Sequence, residues 1–190
     1  MTERRSALLV MDFQSDIVSN FPAADAIANT RKVLAAARAA GLPIAYVVVG
    51  FRPGHPEVSA NNKGFSAAKA AGRLVNPTVI EDLAPIEGEP VVVKRRVGAL
   101  YGTELPVILS AFEANHLVLT GISTSGVILS TTRLAADMDF AVTILADCVG
   151  DNDPEVHDFL LTKILSHQAE ISDSTTFMAG LANFSEFARR

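Results

Sequence analysis

Hydrophobic positions along the chain follow two rhythms. Short, nearly unbroken apolar or β-branched runs occur at Ala7–Met11, Ile44–Val49, Pro90–Val93, Leu117–Leu119, Ala141–Leu145 and Ala169–Ile171. Runs of that length without polar alternation are the pattern of strands buried on both faces. Between them lie alanine-rich segments with helical spacing: Ala24–Ala40 closing at Gly41, Glu104–Ala114, Ser125–Asp137, and Pro154–Leu165, whose proline suits a first helical turn. Strands that alternate with helices pair in parallel and carry helices on both faces. The pattern therefore predicts an α/β fold, a three-layer sandwich around a central six-stranded, mainly parallel sheet. Residues 50–90 break the rhythm and hold five of the nine prolines, with Asn61-Asn62-Lys63-Gly64 near the middle. A long excursion over the sheet is expected there, and such loops tend to be functional.

With 190 residues, 49% of them hydrophobic, one sizeable core is expected, organised as a single domain over residues 1–190. A net charge of −5, with basic clusters limited to Lys94-Arg95-Arg96 and Arg189-Arg190, argues against a nucleic-acid surface and leaves a small molecule as the expected partner. The first apolar run stops at Asp12, too short for a signal segment or a membrane span, so a cytoplasmic protein that does not engage the membrane is expected. The single cysteine, Cys148, excludes an internal disulfide and a cysteine-rich zinc site, and neither a metal nor another cofactor is called for.

Candidate chemistry gathers where strands end. Asp12 closes the first run, in LLVMDFQSD, and a carboxylate at the carboxyl end of a buried strand faces the crevice where open α/β sheets bind ligands. Lys94 closes the third run, in PVVVKRRVGALYGTEL, at the same edge; the competing reading is that Lys94, Arg95 and Arg96 form a solvated turn. The segment Gly121-Ile122-Ser123-Thr124-Ser125-Gly126-Val127 joins a strand to a helix, so its backbone N–H groups can hold an oxyanion or a carboxylate. It lacks the G-x-S-x-G pattern of a nucleophilic serine, and capping is the expected task of its hydroxyls. His116, His157 and His167 read as surface or structural residues, and Cys148 as a small buried hydrophobe. In the excursion, Phe51, Arg52, His55 and Phe65 are expected to line or cover a pocket, Arg52 being suited to a carboxylate. His55 has no companions at metal-ligand spacing.

Taken together, ALLVMDFQSDIV, VVVKRRVGALYGTEL and LVLTGISTSGVILSTTRLAADMDFAVTILADCVGD resemble the isochorismatase-like hydrolase superfamily, which includes isochorismatases, nicotinamidases and N-carbamoylsarcosine-type amidohydrolases. The resemblance runs over nearly the whole chain in the same order. It implies catalytic roles for Asp12 and Lys94, a cis peptide bond between Ile122 and Ser123, a substrate-binding turn made by Ile122, Ser123, Thr124, Gly126 and Val127, pocket-lining roles for Phe13, Gln14 and Tyr101, and homo-oligomerisation.

The chain departs from the superfamily pattern at the position that matters most. The nucleophilic cysteine of the superfamily's cysteine hydrolases stands six residues after the glycine of T-G, where this sequence has Val127. A thioester mechanism cannot run through valine. Isochorismatase-type members also lack that cysteine and cleave a vinyl ether by acid catalysis, a role open to Asp12 if it is protonated, which apolar burial favours and a cationic Lys94 opposes. VVVGFRPGHPEVSANN carries no match to the metal-binding aspartate and histidines of nicotinamidases; Leu100 replaces the usual aromatic, and Ser123-Thr124-Ser125 replaces the histidine-containing turn of isochorismatases. The expectation is a cysteine-independent hydrolase of a small anionic molecule, with vinyl ether cleavage its most concrete form. The alternatives are water-mediated amide or C–N hydrolysis, use of Cys148 in its place, and a non-catalytic pocket that binds a metabolite or a partner.

Overall fold

The computed structural model describes residues 4–187, with side chains described through residue 181. Six strands form one sheet: β1 (Ser6–Met11), β2 (Ile44–Val49), β3 (Val91–Lys94), β4 (His116–Ile122), β5 (Ala141–Gly150) and β6 (Glu170–Ser172). Their order is β3-β2-β1-β4-β5-β6, and every neighbouring pair is parallel. β1, β2 and β4 are apolar on both faces because both are covered, as their unbroken runs require. On one face, α2 (Ala24–Ala39) and α7 (Ser174–Phe187) cover Leu8, Val10, Tyr46 and Val118. On the other, α4 (Leu105–Ala111), α5 (Leu129–Asp137) and the turns after α6 (Pro154–Phe159) pack Leu105, Leu109, Ala135 and Leu161 against Leu9, Val47 and Leu119.

The expected helices are present with altered edges. The segment 125–137 opens with a π-helical turn, Thr124–Ile128, before α5. The helix expected over 154–165 is regular only to Phe159, then widens into a π turn, Leu160–Ile164, and tightens at Leu165–His167. Three helices had no counterpart in the pattern: α1 (Ser15–Val18), α3 (Lys63–Ala70) inside the excursion, and α7. The excursion carries its own small core, in which Phe51, Val58 and Leu74 pack with Phe65. Asp16 pins it to α1, accepting from the Leu74 N–H at 2.9 Å.

Strand order reverses between β1, whose connection leads to β2, and β4, which lies on β1's other side. A crevice opens at such a reversal, at the carboxyl ends of the strands. Gly121 is what lets β4 lie so close to β1 there: its φ is +151°, and a Cβ on it would stand 2.5 Å from the Met11 carbonyl oxygen.

Candidate active site

Asp12 leaves the end of β1 in the left-handed region, with φ of 59°, a conformation aspartate tolerates better than most residues. Its N–H donates to the Val47 carbonyl at 2.8 Å, which fixes the turn to β2. Lys94 reaches across the end of β2, and its Nζ lies 2.7 Å from Asp12 Oδ2, with the two side chains only 1% and 7% exposed. The Lys94 ammonium also donates to the Val97 carbonyl. An ion pair this deep needs geometry of that quality to offset its desolvation. Burial pushes the Asp12 carboxyl above the usual carboxylate range, against the lowering charge of Lys94. The other carboxylate oxygen, Oδ1, is buried and makes no hydrogen bond of good geometry among the described residues; the Val49 N–H, which donates to Gln14 Oε1, also lowers the carboxyl pKa. A buried acceptor left open in this way is an energetic cost that a reacting proton donor would remove.

On the β4 side of the crevice, the Ile122–Ser123 peptide is cis. The Ser123 carbonyl accepts from the Gly126 and Ile128 N–H groups, both at 3.2 Å, which folds the turn back on itself. A Cβ on Gly126 would stand 2.8 Å from Ser123 Oγ, so any larger residue there would make the Ser123 hydroxyl turn away. Val127 is buried in the same core cluster as Met11, Ala99 and Leu100. From the β5–α6 loop, Asp151 accepts from the Ser125 N–H at 2.7 Å, and His157 Nδ1 lies 2.8 Å from Thr124 Oγ1. His157, read from sequence as a surface or structural residue, thus braces the candidate turn.

Residues 95–99 roof the crevice. Leaving β3, Arg95 donates to the Gly50 carbonyl at the end of β2. Val97 caps Lys94 and stands 3.9 Å from where a Gly126 Cβ would be. Ala99 N–H then donates to Thr131 Oγ1 on α5 at 3.0 Å. The basic run Lys94-Arg95-Arg96 is therefore a strap across several strand ends, not a solvated turn.

The remaining expected residues divide by placement. Gln14 is fully buried and holds β1 to β2, accepting from Val49 N–H at 2.7 Å and donating to the Val49 carbonyl at 2.9 Å. Phe13 is buried in the core that faces α2. His55 is buried in the excursion, its ring 5.2 Å from that of Phe51 and its Nε2 2.6 Å from the Arg73 carbonyl. Arg52 is 71% exposed and paired to Glu57 at 2.8 Å, so its charge is already answered. Tyr101 is 68% exposed. Cys148 is buried on the α2 face, where burial and the neighbouring Asp147 charge push its thiol up to about 12. No group of three or more potential metal ligands exists among the described residues. A cleft of about 340 Å³ lined by Arg5, Leu42, Phe112 and Leu181 lies at the opposite, amino edge of the sheet and holds none of this chemistry.

The buried carboxylate–ammonium pair and the β4 turn both lie at the carboxyl ends of the strands beside the switch point of a doubly wound sheet, where α/β folds bind ligands. The chain belongs to the isochorismatase family, whose domain matches residues 6–176. The ureidoacrylate amidohydrolase of Pseudomonas syringae pv. syringae is 26% identical over 98% of this chain and 84% of its own length. An N-carbamoylsarcosine amidase from an Arthrobacter species is 26% identical over 85% of this chain and 63% of its own length. Among solved structures, an isochorismatase family protein from Burkholderia thailandensis superposes with a TM-score of 0.82 at 25% identity, covering 95% of this chain and 97% of that one. A cysteine hydrolase from Pseudomonas syringae pv. phaseolicola shares the fold with a TM-score of 0.87 at 21% identity, covering 95% and 93%. The chain is a hydrolase of this family. No helix among the described residues is long and apolar enough to cross a membrane.

Proposed function

We propose that the chain hydrolyses a C–N bond in a small anionic ureido or carbamoyl compound, with Asp12 as general acid and base, Lys94 as its positioning partner, and water as the nucleophile. The observation that carries this reading is Asp12 Oδ1, a buried acceptor that makes no hydrogen bond of good geometry among the described residues, on a carboxylate held at its other oxygen by Lys94. Two curated relatives named for ureidoacrylate and N-carbamoylsarcosine shift the reacting bond from the vinyl ether suggested by the missing cysteine toward an amide or ureido linkage.

In this mechanism Asp12 takes a proton from water as the water oxygen attacks the carbonyl carbon. The oxyanion that forms is held by backbone N–H groups of the turn, to which we assign Thr124 and Val127, because the Ser125 N–H already serves Asp151 and the Gly126 N–H serves Ser123. Collapse breaks the C–N bond, and Asp12 returns its proton to the leaving nitrogen. Burial, by raising the Asp12 pKa, makes the carboxylate a stronger base than an exposed one. Lys94 holds the negative charge in place without supplying a proton.

Following ammonia release from N-carbamoylglycine and a simple primary amide, and carbonyl release from a vinyl ether, beside the Asp12→Asn variant, tests the assignment. Asp12-dependent release from the ureido acid is the expected result. Turnover of the vinyl ether alone would return the reaction to acid catalysis at carbon, and saturable binding without turnover of any of the three would make the site a binding pocket.

A further inference from the structure

The strap over the crevice carries more positive charge than the structure neutralises. Arg52 and Arg95 converge on one carboxylate, Glu57. Its Oε1 lies 2.8 Å from Arg52 Nη1 and 3.4 Å from Arg95 Nε. Glu57 Oε2 is buried without a side-chain partner among the described residues. Arg95 is further engaged at the Gly50 carbonyl. Arg96 differs from both. Its recorded bonds both leave Nη1 and both end on neutral carbonyls, Glu57 O at 3.3 Å and Arg95 O at 2.6 Å. Among the described residues, no carboxylate lies within ion-pair distance of it.

We propose that Arg96 is the receptor for the substrate's carboxylate and so sets the enzyme's preference for anionic substrates. The proposal rests on the hydrolase reading above and names the substrate group that this site selects. Three features support it. Arg96 lies two residues beyond Lys94 on the strap that runs from β3 to the Ala99–Thr131 bond on α5, so its backbone is two residues from the Asp12–Lys94 pair. It is half-buried, so an incoming anion meets a partly desolvated guanidinium, where a charge-assisted pair is stronger than on an open surface. Its fork has donors left after the two carbonyl contacts, and a guanidinium presents five in a geometry that matches a carboxylate. The local surplus of cations also stands against an overall net charge of −5, so the field at this edge is set by the strap and not by the whole molecule. Arg52, whose residue type suits the same task, differs in that one nitrogen of its guanidinium is already paired to Glu57.

The test compares two substrates of equal size that differ in one charge, N-carbamoylglycine and its primary amide, on the wild type and on Arg96→Ala, Arg96→Gln and Arg96→Lys. For the wild type, kcat/KM should favour the acid by roughly 10- to 100-fold, mainly through KM, the range expected of one charge-assisted bidentate contact. Arg96→Ala and Arg96→Gln should erase that preference while leaving the amide within about threefold of wild type, and Arg96→Lys should recover part of it. Equal loss for acid and amide, or a preference that survives in Arg96→Ala, overturns the proposal. Calorimetric binding of the same two compounds separates this from the reaction itself. Tighter wild-type binding of the acid, lost in Arg96→Ala, upholds Arg96 even where nothing turns over; equal wild-type affinities overturn it.

Discussion

At the scale of single residues, the account rests on what burial does to Asp12 and Lys94. Removing one member of a buried, well-formed ion pair leaves the other unpaired, which costs about 3–5 kcal/mol. Lys94→Ala is therefore expected to lower the chemical denaturation midpoint sharply as well as to abolish turnover. Asp12→Asn keeps the shape of the side chain and should cost at least about 100-fold in kcat/KM, the low end for a lost acid–base group. Because burial raises the Asp12 pKa and the reaction uses the ionised form, activity should fall as pH drops through a value above the ordinary carboxylate range. An acid limb at or below that of an exposed aspartate would contradict the assignment. Cys148→Ser should leave kcat and KM unchanged, since the thiol is buried on the α2 face and pushed up to about 12. Loss of activity in that variant, with the fold intact, would restore a thiol mechanism. Asp12 and Lys94 were readable in the sequence because each terminates an apolar run, and a charge in that position has few structural uses. Arg96, Glu57 and His157 were not, because their meaning comes from partners 39 and 33 residues away. Arg52's type suits a ligand carboxylate, and its pairing with Glu57, five residues on, was likewise not legible.

At the scale of elements, β-branched and leucine-rich runs located all six strands: in β1, β2 and β4 because a strand covered on both faces has no room for polar alternation, and in the partly exposed edge strands β3 and β6 from short runs alone. The boundaries shifted where the chain changes task. β4 continues past Leu119 through Thr120 and Gly121 to Ile122, since Thr120 satisfies its hydroxyl on the Leu9 carbonyl at 3.0 Å and Gly121 must pass Met11. That contact makes Gly121→Ala a sharp test of the β1–β4 junction: the new Cβ meets backbone at 2.5 Å in a conformation that alanine rarely adopts. It should destabilise the protein by several kcal/mol, more than roughly 4 on the scale of severe single substitutions. Thermal unfolding near that of wild type would show that the two strands can separate there at little cost. α7 escaped the sequence reading because its opening, Ser174-Thr175-Thr176, is rich in hydroxyl residues and its apolar positions lack a charged opposite face. What anchors it lies elsewhere in the chain: Asp147 accepts from the Ser174 N–H and Oγ at 2.8 and 2.5 Å. The expected 125–137 helix opens as a π turn because Ile128 N–H reaches back to Ser123, at the start of the candidate site.

At the scale of the whole molecule, the two edges of the sheet divide the labour. The carboxyl edge gathers Asp12, Lys94, the β4 turn and the arginine strap at the topological switch point, the place an alternating strand and helix pattern anticipates. The amino edge is structural, and His116 ties it together, with Nδ1 2.7 Å from Ser6 Oγ on β1 and Nε2 2.9 Å from Thr143 Oγ1 on β5. Burial, reinforced by Arg4, holds its pKa below the ordinary histidine value, against Glu170. Below about pH 6.5 the unfolded chain therefore takes up a proton that the folded one refuses, and stability falls as pH drops through that value. Denaturant titrations at pH 7.5 and 5.5 should show that loss, and His116→Asn should reduce it; an unchanged loss in the variant would assign the effect to other groups.

The claim on which the rest depends is that a carboxylate, with water and no thiol, performs hydrolysis at this switch point. Its most direct test is the kcat/KM of the purified wild type, Asp12→Asn and Cys148→Ser for N-carbamoylglycine, measured together at neutral pH. Hydrolysis by wild type and Cys148→Ser, with a drop of about 100-fold or more in Asp12→Asn, is the expected result. Equal rates in wild type and Asp12→Asn would contradict it.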